Sequence, residues 1–202
     1  MPGNHVILIL LWITYCMLHS LMASRGIKKR LAQILGARFK YYRLFYTLFA
    51  FVSLVLILYY QFTLPGKKLF EPFIYTWMGG LLIGLAGLVI MIICIKKYFL
   101  SLSGLLSLVK ESNDQTLIIS GIHKYLRHPL YLGTFGFIWG AFLCFPFWSL
   151  LIANTIITIY TLIAIKFEED KLVAEYGNSY IQYQQRVPKL IPSLKSRPGG
   201  QP

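Results

Sequence analysis

The sequence has little charge, and few of its charged residues are acidic. Charged residues make up 13% of the 202 positions, with seven Asp and Glu against 20 Lys and Arg, whereas about 25% is typical of a soluble domain. So little charge does not cover a soluble globule of this size, and hydrophobic residues make up 56% of the chain. The composition therefore excludes a soluble protein and indicates a membrane protein.

The three cysteines lack the spacing of a metal site or a disulfide framework. Cys16, Cys94 and Cys144 each lie inside an apolar run, and the sequence contains no Cys-x-x-Cys pair. We predict that they are small buried residues and that no metal is bound. The net charge of +13 does not indicate nucleic acid binding, because the basic residues fall between the apolar runs.

Long uncharged runs predict an all-α, polytopic membrane fold with about five transmembrane helices. A bilayer core needs about 20 apolar residues per helix, and Pro146 divides the longest run into a C-terminal helical hairpin. The predicted spans are residues 6–24, 44–64, 73–95, 129–144 and 148–167. We predict one membrane domain over residues 1–192 and a disordered tail over 193–202, where Pro and Gly are frequent.

The distribution of Lys and Arg predicts the orientation. No Lys or Arg precedes the first apolar run, which distinguishes it from a signal peptide. With the N-terminus outside and the C-terminus in the cytoplasm, Lys67 and Lys68 alone among the 20 basic residues lie outside. The positive-inside rule favours this orientation.

Glycines recur in the third and fourth predicted spans. Gly80, Gly84 and Gly87 lie in the third span, and the fourth contains a similar set: Gly133, Gly136 and Gly140. Small residues at this spacing let helix backbones approach closely in lipid. We predict that the glycines pack these helices together.

The hairpin brings two polar clusters to similar depth. From Pro146, His128 is 18 residues back and Glu168 is 22 residues forward, or roughly 27 Å and 33 Å along ideal helices. The simple interpretations are a helix start for Arg127-His128-Pro129 and a solvated helix surface for the acids. However, acids beside an anionic membrane surface are unfavourable without a partner. We therefore predict a cluster of cations and carboxylates at the inner membrane surface.

The clusters belong to a longer pattern. Residues 120–133, 167–172, 176–180, Tyr183 and 186–188 together resemble the C-terminal signature of integral-membrane S-adenosylmethionine-dependent methyltransferases. That superfamily includes isoprenylcysteine carboxyl methyltransferases and phospholipid methyltransferases. Residues 19–24, with Gly26, Lys28 and Lys29, are similar to the bacterial branch that contains methanethiol S-methyltransferases. His19 alone fits either packing or function, and this branch implies the bacterial inner membrane.

The resemblance implies methyl transfer from S-adenosyl-L-methionine, at the cytoplasmic interface, to a small-molecule or lipophilic acceptor, with membrane lipids as further partners. The implied catalytic residues are Arg127, His128, Glu168 and Glu169. The implied cofactor-binding residues are Leu117, Gly121, Ile122, His123, Tyr125, Arg127, His128, Pro129, Tyr131, Glu168, Glu169 and Leu172. An arginine pairs with a carboxylate, a glutamate with an amino group or hydroxyls, and a tyrosine ring packs on adenine. Which glutamate faces the site, and the oligomeric state, stay open.

The chain departs from the isoprenylcysteine enzymes at one place. Those enzymes have an arginine one helical turn before the key glutamate, where this chain has Ala164 and Ile165. The nearby Lys166 has the spacing to face Glu169 instead. This departure favours a thiol acceptor, which needs no carboxylate clamp. The alternatives are an NADPH-dependent, sterol-reductase-like membrane enzyme and a non-catalytic membrane protein that retains the fold.

Overall fold

The computed structural model describes residues 2–103, 117 and 119–191. The α-helices described there are α1 (Pro2–Ala23), α2 (Arg25–Leu35), α3 (Tyr42–Thr63), α4 (Ile74–Ser103), α5 (Pro129–Cys144), α6 (Trp148–Tyr176) and α7 (Asn178–Arg186). Two 3-10 helices span Gly36–Tyr41 and Gly121–Lys124. The predicted all-α fold is confirmed, and the tail predicted over 193–202 lies outside the described residues.

Within the described part of the chain, four helical segments are long and apolar enough to cross a membrane. They are Gly3–Ala23, Arg25–Thr63, Ile74–Lys96 and Trp148–Tyr176. The remaining apolar helix, α5, has 16 residues and a length of about 24 Å. The polytopic membrane fold is therefore confirmed, whereas the count of five spans stays a prediction. The helices break around Pro146 as predicted, since α5 ends at Cys144 and α6 begins at Trp148.

The chain divides into two compact units. Met1–Glu71, Lys97–Ser112 and Phe145–Ile157 form the first, and Pro72–Lys96, Asn113–Cys144 and Thr158–Pro202 form the second. The single membrane domain over 1–192 stays a prediction.

The core of the first unit combines apolar packing with one buried polar pair. Leu8, Trp12, Ile57 and Ala153 form its buried cluster. The indole Nε1 of Trp12 donates a hydrogen bond of 3.0 Å to Oε1 of Gln61, and both side chains are buried. A hydrogen bond between α1 and α3 of this kind satisfies groups that lipid does not.

The basic segment after α1 folds into α2, a helix that the sequence analysis did not predict. Ser24 caps it, because the Ser24 hydroxyl accepts a hydrogen bond from the backbone N–H of Ile27 at 3.4 Å. Gly36, at a φ of 51°, ends it. The hydroxyl of Tyr42 donates to the carbonyl of Met22 at 2.7 Å, which joins the start of α3 to the end of α1.

In the second unit, α4 and α5 pack through their glycines. A Cβ added at Gly80 would lie 2.7 Å from the carbonyl oxygen of Gly140, and one at Gly87 would lie 2.5 Å from that of Gly133. Any side chain at these positions would push the helices apart. The predicted packing role of the glycines is confirmed. The cysteines are free and buried, also as predicted.

Candidate functional site

Short-range hydrogen bonds fold the segment that precedes α5. Gly121 has a φ of 60°, a conformation that glycine adopts without strain, and it opens the 3-10 helix. The carbonyl of Ile122 then accepts hydrogen bonds from the N–H groups of Tyr125 at 3.0 Å and Leu126 at 3.1 Å. Pro129 is fully buried at the first position of α5, where its missing N–H costs nothing. This fold fixes the backbone of Arg127 and His128.

The chain after α7 runs beside this segment. The N–H of Arg127 donates to the carbonyl of Pro188 at 3.0 Å, and the N–H of His128 donates to that of Lys189 at 3.1 Å. The hydroxyl of Tyr183 donates to the carbonyl of His123 at 2.7 Å. The two segments therefore form one backbone framework, although about 60 residues of chain separate them.

The guanidinium of Arg127 joins three parts of this framework. Its Nε donates to Oε1 of Glu169 at 2.7 Å, and its Nη1 donates to the carbonyls of Gln184 at 2.8 Å and Val187 at 2.5 Å. The side chains of Arg127 and Glu169 are only 9% and 8% exposed. The predicted meeting of cations and carboxylates across the hairpin is confirmed, and at its centre is a buried ion pair.

Glu169 also contacts two further nitrogen atoms. His128 Nε2 lies 3.2 Å from Oε1 of Glu169, and Lys189 Nζ lies 3.2 Å from Oε2. Both carboxylate oxygens are therefore engaged within the protein. Lys166, which the sequence placed beside Glu169, is exposed, and the described ion pairs of Glu169 are with Arg127, His128 and Lys189 instead.

Glu168 points the other way. Its side chain is 45% exposed, and its Oε2 lies 3.8 Å from His128 Nδ1. The hydroxyl of Tyr131 donates to the same oxygen at 3.0 Å. The rings of His128 and Tyr131 stack at 5.6 Å with an interplanar angle of 19°. Buried His128 thus lies between an inward carboxylate and an outward one, and the outward one is held in place.

The other implied cofactor residues take different positions. Leu117 and Leu172 pack against a buried cluster of Tyr180, Tyr183 and Val187, whereas the side chain of Tyr125 is 56% exposed. Burial raises the pKa of Tyr180 to about 12, and the negative charge of Glu169 adds to this effect. Leu117 and Leu172 support the framework here, while Tyr125 presents its ring to the outside.

Three groups of the cluster were not predicted as site residues. They are the ammonium of Lys189 and the backbone carbonyls of Gln184 and Val187. Val187 belongs to residues 186–188, one of the segments that carry the family resemblance, so the sequence did indicate this region. The carbonyls carried no signal of their own, because every residue type supplies a backbone carbonyl.

Relatives of the chain include enzymes of two named activities. Methanethiol S-methyltransferase 1 of Bradyrhizobium diazoefficiens is 30% identical over 200 residues, which cover 95% of this chain and 68% of the relative. Methanethiol S-methyltransferase of Crocosphaera subtropica is 37% identical over 87 residues, 42% of this chain and 32% of the relative. Protein-S-isoprenylcysteine O-methyltransferase of Schizosaccharomyces pombe is 37% identical over 93 residues, 42% of this chain and 36% of the relative.

The alignments with the Crocosphaera and Schizosaccharomyces proteins cover about a third of the length of each relative. No solved structure matches the chain significantly. The family model described as phospholipid methyltransferase matches residues 74–179, a stretch that contains α5, α6 and both glutamates of the cluster. On this match and on the alignment with the Bradyrhizobium protein, which covers 95% of this chain, the chain belongs to the phospholipid methyltransferase family.

Proposed function

We propose that this protein transfers a methyl group from S-adenosyl-L-methionine to a small or lipophilic acceptor, and that the acceptor is a thiol. The observation that carries the proposal is the exposed carboxylate of Glu168, held by Tyr131 beside His128 within the segment that matches the family. The names of the relatives support the reaction type, since each is a methyltransferase.

The side chains around Glu168 fit the chemical groups of the cofactor. An exposed carboxylate suits an amino group or ribose hydroxyls, and the exposed ring of Tyr125 suits adenine. Bound S-adenosyl-L-methionine supplies a sulfonium methyl group for in-line displacement. Correct alignment of the reactants lowers the activation barrier by about 7 to 11 kcal/mol in such reactions. No nucleophilic residue of the protein is therefore required.

The residues of the cluster then divide into two roles. Glu168 and Tyr125 contact the ligand, and Tyr131 and His128 hold Glu168 in position through the 3.0 Å hydrogen bond and the 3.8 Å contact. Arg127 is bound to Glu169 and to two carbonyls. We therefore assign Arg127 and Glu169 to positioning the His128 segment rather than to gripping the cofactor.

Two observations support a thiol acceptor. Several relatives, among them the Bradyrhizobium protein that aligns with 95% of this chain, are named for methyl transfer to methanethiol. In addition, Ala164 and Ile165 occupy the positions one turn before the glutamates, so the arginine that would clamp a substrate carboxylate is replaced by apolar side chains.

A cytosolic cofactor requires the cluster to face the cytoplasm, which is the orientation that the positive-inside rule favours. With the N-terminus outside, Lys67 lies outside and Lys124, in the 3-10 helix beside the cluster, lies in the cytoplasm. A cysteine in place of Lys67 should react with a membrane-impermeant maleimide in intact cells. A cysteine in place of Lys124 should react only after permeabilisation, and labelling of both from outside would contradict the orientation.

The activity is tested with the purified full chain in detergent. Methyl-labelled S-adenosylmethionine is offered with a panel of thiols, prenylcysteines, amines and lipids, and we expect transfer to a thiol. Glu168→Gln keeps the shape of the side chain but removes its charge, and it should lower turnover at least tenfold. Asp170→Asn is the matched control, because Asp170 is an exposed acid on the same helix, and it should keep full turnover.

A cofactor-binding measurement separates the possible failures. S-adenosylhomocysteine at 100 times its dissociation constant should add about 2.7 kcal/mol to the free energy of unfolding, and NADPH should add none. Stabilisation by NADPH alone would reject the methyltransferase. Stabilisation by S-adenosylhomocysteine with transfer to a non-thiol acceptor would reject only the thiol.

A further inference from the structure

A groove lies between α1 and α3 in the first unit. Its volume is about 230 Å³. Its lining is largely apolar, and the lining residues are Leu11, Thr14, Tyr15, Leu18, His19, Tyr46, Phe49, Ala50, Ser53, Leu56 and Ile57. From His19 to Leu11 it follows α1 for about 12 Å, at a rise of 1.5 Å per residue. This shape suits one extended hydrocarbon chain.

The two ends of the groove differ chemically. Leu11, Leu56 and Ile57 line the far end, whereas His19 and Tyr46 meet at the near end. The Tyr46 hydroxyl lies 3.0 Å from Nδ1 and 2.9 Å from Nε2 of His19. A ligand that matches this gradient has an apolar tail and a polar head.

The chain next to the near end is strongly basic. Between His19 and Tyr46 the sequence contains seven Lys and Arg and no Asp or Glu: Arg25, Lys28, Lys29, Arg30, Arg38, Lys40 and Arg43. Lys29 and Arg30 are exposed on α2. The apolar side chain of Ile34 on the same helix is 77% exposed, as in a helix that lies on a membrane surface. Basic segments beside membrane helices attract anionic head groups.

We propose that this groove binds one acyl chain of an anionic phospholipid. The phosphate lies near His19, Tyr46 and the basic residues of α2, and the acyl chain extends toward Leu11 and Ile57. Every residue assigned to this lipid site belongs to the first unit, whereas the residues assigned to methyl transfer belong to the second.

The test uses the purified full chain and native mass spectrometry with phosphatidylglycerol and phosphatidylcholine as probes. We expect the unmodified chain to retain phosphatidylglycerol at least tenfold more than phosphatidylcholine. Lys29→Gln with Arg30→Gln should reduce that preference roughly tenfold, since each basic residue near the surface contributes to the attraction. Lys67→Gln with Lys68→Gln removes the same charge elsewhere in the unit and should leave the preference unchanged.

A second pair of variants tests the groove itself. Ala50→Leu fills the groove, whereas Val55→Leu enlarges an exposed residue of α3 outside its lining. Ala50→Leu should abolish retention of phosphatidylglycerol, and Val55→Leu should not change it. Equal retention by both variants would overturn the proposal, as would a dimer of the unmodified chain that Ala50→Leu alone dissociates without loss of lipid.

A measurement on the unmodified chain tests the site without relying on variants that could misfold. Phosphatidylglycerol with a photoactivatable acyl chain is crosslinked to the protein, and the labelled peptides are identified. Labelling concentrated on 11–19 and 46–57 supports the site. Labelling spread evenly over all apolar helices would mean ordinary boundary lipid and would overturn it.

Discussion

Removal of Arg127 should lower the free energy of unfolding more than it lowers the affinity for the ligand. The variant Arg127→Ala deletes the 2.7 Å ion pair with Glu169 and two hydrogen bonds to the carbonyls of Gln184 and Val187. Breaking a buried ion pair by removing one partner costs about 3 to 5 kcal/mol. Glu169 keeps His128 and Lys189 as partners, so we expect the lower end, about 3 kcal/mol.

For a chain of this size, about 3 kcal/mol corresponds to a decrease of roughly 6 to 12 °C in melting temperature. The assay is thermal unfolding of the purified protein in detergent, followed by circular dichroism. Arg127→Lys should recover little of the loss, because an ammonium does not reproduce the planar fork that reaches Glu169 and two carbonyls at once. Glu169→Gln should resemble Arg127→Ala.

The exposed Glu168 should behave differently from the buried ion pair. Glu168 is 45% exposed, and exposed ionic contacts contribute about 0 to 1 kcal/mol, so Glu168→Gln should unfold within about 2 to 4 °C of the unmodified protein. The double variant Arg127→Ala with Glu169→Gln should lose less than the sum of the single losses, by about 0.5 to 3 kcal/mol. If Arg127→Ala kept its melting temperature and lost only affinity for S-adenosylhomocysteine, Arg127 would grip the cofactor and our assignment would be refuted.

Two further predictions concern the second unit. Gly87→Ala should lower the free energy of unfolding by about 1 to 3 kcal/mol, because the new Cβ would lie 2.5 Å from the carbonyl oxygen of Gly133. Gly79→Ala on the same helix meets nothing within 4 Å and should be neutral or stabilising by detergent unfolding; equal losses would contradict glycine-mediated packing. Burial raises the pKa of Tyr180 to about 12, above the ordinary value of about 10. The stabilisation that comes from the raised pKa of Tyr180 is therefore complete below pH 10 and is lost as the pH rises through 12. Tyr180→Phe should flatten the alkaline loss in that window, and an unchanged pH profile would show that Tyr180 is not the responsible group.

The sequence predicted those parts of the fold that depend on long-range composition. Apolar runs located the membrane helices, and Pro146 located the break between α5 and α6. These features follow from the length of the bilayer core and from the chemistry of proline. By contrast, α2 was missed because only the Ser24 cap and Gly36 mark its ends, and these are weak signals beside a cluster of seven basic residues.

The candidate site shows a similar division. Helix lengths alone placed Arg127 and His128 level with Glu168 and Glu169, and the structure has Arg127 in contact with Glu169. The lengths did not reveal which carboxylate is buried, because adjacent positions on a helix differ by about 100° and only packing decides which one faces inward. They also did not reveal that Arg127 is occupied by backbone carbonyls of the segment after α6.

The arrangement explains how the orientation of one exposed carboxylate depends on distant parts of the chain. Tyr131 and His128 hold Glu168, and His128 is itself held by Glu169 and by the carbonyl of Lys189. Lys189 also pairs with Glu169, so this one residue contacts both the backbone of His128 and the carboxylate beside its ring. The C-terminal segment therefore does more than cover the cluster. If Glu168 orients the ligand as proposed, it needs rigid neighbours, and the buried side chains of His128 and Glu169 supply them.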